Sequence, residues 1–75
     1  MSDSTIGRRA AEELLRIVRE EDLTMTAAYE EISIPASCFW RWQHGTGAPR
    51  AQTLANMHRA GYDILYILTG ERSRT

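Results

Sequence analysis

Ser37, Trp40, Arg41 and His44 stand at i, i+3, i+4 and i+7, positions that share one face of a helix. Taken alone, Ser37 and His44 pair a nucleophile with a base. No Asp or Glu lies between Ile32 and Tyr62 to orient that base, and no glycine-rich phosphate loop exists, so the spacing does not support nucleophilic catalysis. A metal site is equally short of ligands, because the chain has one cysteine, Cys38, two histidines and no Cys-x-x-Cys spacing. No catalytic residue, metal or cofactor is expected. What a hydroxyl, an indole, a guanidinium and an imidazole on one face can do is bond, stack on and neutralise another surface.

Charge placement says which surface. The formal net charge is −1, yet every acid except Asp3, Asp63 and Glu71 lies between Glu12 and Glu31. From Ile32 to Tyr62, Arg41, Arg50 and Arg59 are accompanied by His44 and His58 and by no carboxylate, a local charge of +3. An acid-free basic stretch suits a polyanion, since no neighbouring carboxylate competes with phosphate. Chance clustering in a short chain is the competing explanation. The chain has no lysine, so its fixed cations are guanidinium groups, which match phosphate or guanine bidentately.

At 75 residues, 43% hydrophobic and 25% charged, the chain reads as a single globular domain over 1–75 and not as a disordered tail. One cysteine excludes an intramolecular disulfide, and with no metal in prospect oligomerisation is the expected supplement to a small core. No run of about 18 apolar residues spans a bilayer, and Met1 to Gly7 lacks the basic and apolar regions of a signal peptide. A cytoplasmic protein without a membrane partner is expected.

The elements that must position the polar face are helical. Ile6, Ala10, Leu14, Ile17 and Val18 recur at helical spacing, with Arg8, Arg9, Glu12, Glu13, Arg16, Arg19 and Glu20 on the other faces, giving a helix at roughly 5–21. Thr24 offers a capping hydroxyl for a second helix at 24–32, carrying Met25, Ala28, Tyr29 and Ile32. Pro35 extends its predecessor Ile34 and opens a third helix at 35–44, stopped by Gly45-Thr46-Gly47. A fourth at 50–60 ends at Gly61, and a fifth at 63–69 is capped by Asp63 and closed by Gly70. No segment alternates with period two, so the fold class is all-α with five helices.

The second and third helices are too short to stand alone and are expected to brace each other. Cys38, Phe39 and Trp42 form the inward side of the third helix, packing on Met25, Ala28 and Ile32. Ala36, Ser37, Trp40, Arg41 and His44 are left outside. Small residues, then an aromatic ring and a cation on a braced helix suit the major groove of duplex DNA, which is about 12 Å wide and admits a helix.

The run Ile34-Pro35-Ala36-Ser37, then Phe39 to Gly45, Pro49, Thr53-Leu54 and Ala60-Gly61, resembles the helix-turn-helix of lambda-repressor-like (Cro/repressor, or XRE) transcription regulators. In that family an apolar residue is followed three positions later by Trp or a similar residue, then by Glu-x-Gly, matched here by Phe39, Trp42 and Gln43-His44-Gly45. The ending Gly61 to Arg72 resembles a fifth helix common in phage and prophage members. The likeness spans about residues 8–72. The chain departs from the pattern at four places: Tyr29 where a small residue is usual, Ser33 for Gly, Met25 for a DNA-contacting Gln, and Gln43 for Glu.

The resemblance implies a compact five-helix DNA-binding domain with its helix-turn-helix at helices 2 and 3. Pro35, Ala36, Ser37, Trp40, Arg41, His44 and Arg50 are its candidate DNA contacts. Arg41 suits guanine O6 and N7 or a phosphate, and its alternative is a solvated arginine. Ser37 suits a base edge or a phosphate, or a first-turn cap. Trp40 suits the sugar-phosphate backbone or a thymine methyl, or burial against a neighbouring helix. His44 suits a phosphate, or the dipole at a helix C-terminus. Arg50 would grip a phosphate together with free N–H groups of the fourth helix. His58 is expected only to pack or to face solvent, and Cys38, on the inward side, to be a small core residue.

In the fifth helix Ile64, Ile67 and Leu68 supply an inward stripe, leaving Leu65 and Tyr66 for a two-fold mate, while the alternative lays Tyr66 on the first helix. The expected function is that of a phage- or prophage-type repressor, a homodimer on an inverted-repeat operator. The alternative is a helix-turn-helix interaction module, an adaptor or antitoxin that captures a protein partner.

Overall fold

Ala10, Leu14 and Ile17 are buried along one face of the first helix, and this face organises the fold. In a computed structural model, which describes residues 3–72 with side chains from Thr5 onward, five helices follow in the expected order: α1 (Asp3–Glu20), α2 (Met25–Ile32), α3 (Ala36–Gln43), α4 (Ala51–Arg59) and α5 (Ile64–Thr69). No strand occurs among the described residues. Met1, Ser2 and 73–75, part of the single domain expected over 1–75, lie outside them. The expected ranges counted caps as helix, one residue too many for α2 and α5 and two for α3 and α4, since Thr24, Pro35, His44, Arg50, Ala60 and Asp63 flank the helices, while α1 begins and ends earlier than the expected 5–21.

α1 is the hub. α3, α5 and α2 pack on it, α2 packs also on α4, and α4 on α5. The two short helices therefore lean on α1 more than on each other, contrary to the mutual bracing expected. Between themselves they meet through the half-buried Tyr29, whose ring tilts on Phe39 at 5.7 Å between centroids. Leu14, Ile32, Met57 and Ile67 form the most deeply buried part of the core.

The first four helices end in the same way. Leu23, Ile34, Thr46 and Tyr62 return their N–H groups to the carbonyls of Val18, Tyr29, Arg41 and Met57, five residues back. Each closure needs a left-handed residue just before it, supplied by Asp22, Ser33, Gly45 and Gly61. Ser33, at φ 60°, adopts without glycine's freedom a conformation that costs an L-residue about 1 kcal/mol. This tight stop sets the turn that leads into α3.

A buried polar cluster fastens α5 to α1. Glu13, expected on an outer face, has no exposed surface. Its carboxylate accepts from Arg16 Nη2 at 2.9 Å, from the Asp63 N–H at 3.2 Å and from Arg72 Nη1 at 2.5 Å. Burial pushes its pKa up, but the bonds from Arg16, Arg72 and Asp63 outweigh burial and hold it below the ordinary value. Arg9 donates to the Ile67 and Leu68 carbonyls at the end of α5. The Arg72 guanidinium lies 3.8 Å from the Tyr66 ring centre, and the Tyr66 hydroxyl donates to Glu12 Oε1 at 2.6 Å.

These contacts correct the expected sidedness of α5. Tyr66, assigned to a two-fold mate, is half-buried against α1 within one chain, while Leu68, assigned inward with Ile64 and Ile67, is exposed at 45%. The apolar side chains left outside are Leu65 and Leu68. In this orientation Ile67 is fully buried and the Tyr66 hydroxyl bonds Glu12 of α1.

Candidate nucleic-acid interface

Phe39 and Trp42 are buried three residues apart and fix the rotation of α3 about its axis. That rotation decides what the helix shows. Ala36, Ser37, Trp40, Arg41 and His44 are all exposed, as the sequence spacing requires, and Pro35 and Arg50 are exposed beside them.

The beginning of α3 carries no side-chain cap. Pro35 is its N-cap residue and has no hydroxyl to offer, and Ser37 does not cap, contrary to one of its two expected roles. α4 begins in the same manner, with Arg50 at the N-cap and no side-chain cap bond. Neither first turn contains an acid, so the positive ends of both helix dipoles stand unquenched by side chains.

Both helix starts open on one cleft of about 430 Å³. Pro35, Cys38 and Arg41 line it from α3, and Arg50 and Thr53 from the start of α4. No carboxylate is among its lining residues. Arg41 Nη2 lies 3.5 Å from Cys38 Sγ, which accepts from it, so the guanidinium folds back over the cleft. Cys38 is half-buried, packed against the core on one side as expected while also lining the cleft. Two guanidiniums around an acid-free cleft can receive an anion such as a backbone phosphate.

Trp40 and His44 form a second arrangement on the outer face. Trp40 is 56% exposed and does not pack on a neighbouring helix. Its ring stacks on the His44 imidazole at 4.1 Å and 26° between planes. His44 Nδ1 lies 2.8 Å from the Trp40 carbonyl oxygen, and since a carbonyl can only accept, Nδ1 is the donor of this bond. His44 is also the C-cap residue of α3.

Thr53, Ser33 and Gly47 line the cleft although the sequence pattern did not single them out for it. Thr53 had a detectable signal, its place in the first turn after Arg50. Gly47 read only as a helix stop. Arg59 lies apart from the cleft and donates to Asn56 Oδ1 at 2.5 Å, while Asn56 Nδ2 donates to the Ile32 carbonyl, tying α4 to the end of α2. His58 borders a different groove, with Tyr62, Ile64, Leu65 and Leu68.

Among the described residues, no group of three or more His, Cys, Asp or Glu side chains is placed to hold a metal ion, and no helix is long and apolar enough to cross a membrane. No protein-family profile, curated protein or solved structure matches the chain.

Proposed function

We propose that the chain is a sequence-specific double-stranded-DNA-binding transcription regulator of the lambda-repressor-like helix-turn-helix type, with α2 and α3 as the motif. It acts as a phage- or prophage-type repressor on an inverted-repeat operator. The observation that carries this reading is the exposed face of α3. Ser37, Trp40, Arg41 and His44 stand exposed on a helix that Phe39 and Trp42 anchor, beside a cleft that offers Arg41, Arg50 and no acid. A helix held in this way enters the major groove with its side chains on base edges, while the cleft takes a phosphate of the flanking backbone. The left-handed Ser33 also supports the reading, because the family favours glycine in that turn.

Repression follows from occupancy, since the bound domain covers promoter sequence that polymerase needs, without cofactor or chemistry. One α3 reads too few base pairs for genomic specificity, so a homodimer is part of the proposal. Leu65 and Leu68 on α5 are the apolar pair for it. A domain about 32 Å across can place two α3 helices near the spacing of one duplex turn, about 34 Å.

Selection of bound sequences from random duplex DNA tests the proposal. A recurrent palindromic site is the expected result, with affinity falling steeply as salt rises, by about 0.9 log units per log unit of salt for each phosphate contacted. Absence of duplex binding even at low salt overturns it and leaves the protein-adaptor reading.

A further inference from the structure

We propose that Trp40 recognises the 5-methyl group of a pyrimidine in the major groove, with His44 as its positioning residue. The inference rests on the DNA-binding reading above and specifies what part of α3 reads. Ala36, Trp40 and His44 succeed one another four residues apart, so the indole sits mid-way along an exposed stripe, next to the polar stripe of Ser37 and Arg41. A ring contacting only sugar and phosphate would stand at the margin of the face.

The major groove presents donors, acceptors and one apolar group, the pyrimidine 5-methyl of thymine or of 5-methylcytosine. An indole face laid over a donor or acceptor strips it of water and returns no hydrogen bond. Over a methyl group the same burial is favourable. Stacking on a base within the duplex is closed to Trp40, because paired bases are already stacked and a groove-bound helix meets their edges.

His44 makes the indole a fixed ledge. Its imidazole covers one side of the ring at 4.1 Å and is itself tied to the Trp40 carbonyl through Nδ1. A tryptophan that is 56% exposed would otherwise sample several rotamers and lose them on binding. The stack removes that loss beforehand and leaves the opposite side and the edge of the indole for the methyl group.

The test replaces each thymine of the tightest selected duplex, one at a time, by uracil, which removes only the methyl. One thymine is expected at which the wild type binds about three- to fivefold more weakly, the worth of burying one methyl group. Trp40→Ala abolishes that sensitivity while keeping its melting temperature and its salt slope. His44→Ala reduces the thymine-to-uracil ratio without changing the slope, and His44→Phe, which retains a stacked ring, restores it. A flat uracil scan, a selected site without thymine, or unchanged sensitivity in Trp40→Ala overturns the assignment. Each of these results requires that duplex be bound, so each is distinct from failure of the DNA-binding reading, which takes this inference with it.

Discussion

The Gly47 carbonyl oxygen stands where a Cβ on Gly7 would project, so that α1 and the loop between α3 and α4 meet backbone to backbone. The same absent Cβ would lie 3.4 Å from the Trp42 Cα. Gly7 thus lets α1 approach the back of α3 and hold the loop that leads to Arg50. Gly7→Ala improves helix propensity by about 1 kcal/mol, but it forces backbone against backbone, which no rotamer change relieves. A net loss of about 1–3 kcal/mol is expected in thermal melts, with DNA affinity falling further than stability alone accounts for as the cleft loop shifts.

Glu13 makes stability depend on pH in a stated direction. Its folded pKa lies below the ordinary 4.5, because the bonds from Arg16, Arg72 and Asp63 outweigh its burial. The stabilisation is therefore fully present above about pH 4.5 and is lost as pH falls through the folded value. Melts between about pH 7 and pH 3 should show the loss, and Glu13→Gln should flatten it. At neutral pH that variant should lose about 1–3 kcal/mol and not more, since Arg16 and Arg72 are partly exposed and rehydrate.

Tyr62 carries a cost that can be removed. Its hydroxyl is buried without a hydrogen-bond partner among the described residues. Burial, reinforced by Glu31, Glu21 and Glu13, pushes its pKa well up, so the group stays neutral. Tyr62→Phe keeps the packing and deletes the unpaired group. A gain of about 1 kcal/mol is expected. In a domain of this size the melting temperature should rise by about 4–8 °C.

The five helices were legible because apolar residues at three- and four-residue spacing report a buried face directly, and Gly45 and Gly61 mark stops. The outward face of α3 was legible for the same reason, since the inward aromatics Phe39 and Trp42 leave it as remainder. Glu13 was not, because a glutamate beside Glu12 looks like any solvated acid until Asp63 and Arg72, 50 and 59 residues away, are brought to it. The orientation of α5 was hidden likewise, as Tyr66 meets Glu12, 54 residues away, only in the folded chain. Cys38 and Arg41 read as inward and outward neighbours, yet their cleft depends on a loop whose path is set by Gly7 and Gly47.

Arg41 and Arg50 should differ in kind on DNA. Arg50 stands at the uncapped start of α4, and if it grips a phosphate as proposed, Arg50→Ala should weaken specific and random duplexes alike while lowering the salt slope by about one. Arg41 must swing off Cys38 to reach a base. If it does, Arg41→Ala costs about 1–3 kcal/mol on the selected site and relaxes preference at one base pair. Equal small losses on both duplexes would leave it a phosphate contact within the cleft.

Leu65 and Leu68 are 44% and 45% exposed on one side of α5. Burial of what remains exposed on both against a two-fold mate would contribute roughly 1 kcal/mol per side chain. Sedimentation should show a dimer for the wild type and a monomer for Leu65→Glu with Leu68→Glu, which binds a half-site alone. Tyr66→Phe should leave assembly unchanged, because that hydroxyl is engaged with Glu12 inside the chain. A wild type that sediments as a monomer at high concentration rules out this interface.

The position of α1 as hub also orders events in time. The first helix leaves the ribosome with Glu13 on the face that will be interior, and Arg16 is then its only nearby cation. The Asp63 amide and the Arg72 guanidinium that complete its shell are among the last groups synthesised within residues 3–72. Sealing α1 earlier would strand a half-satisfied carboxylate in an apolar interior. A chain that stops before α5 would therefore leave Glu13 without two of these three donors.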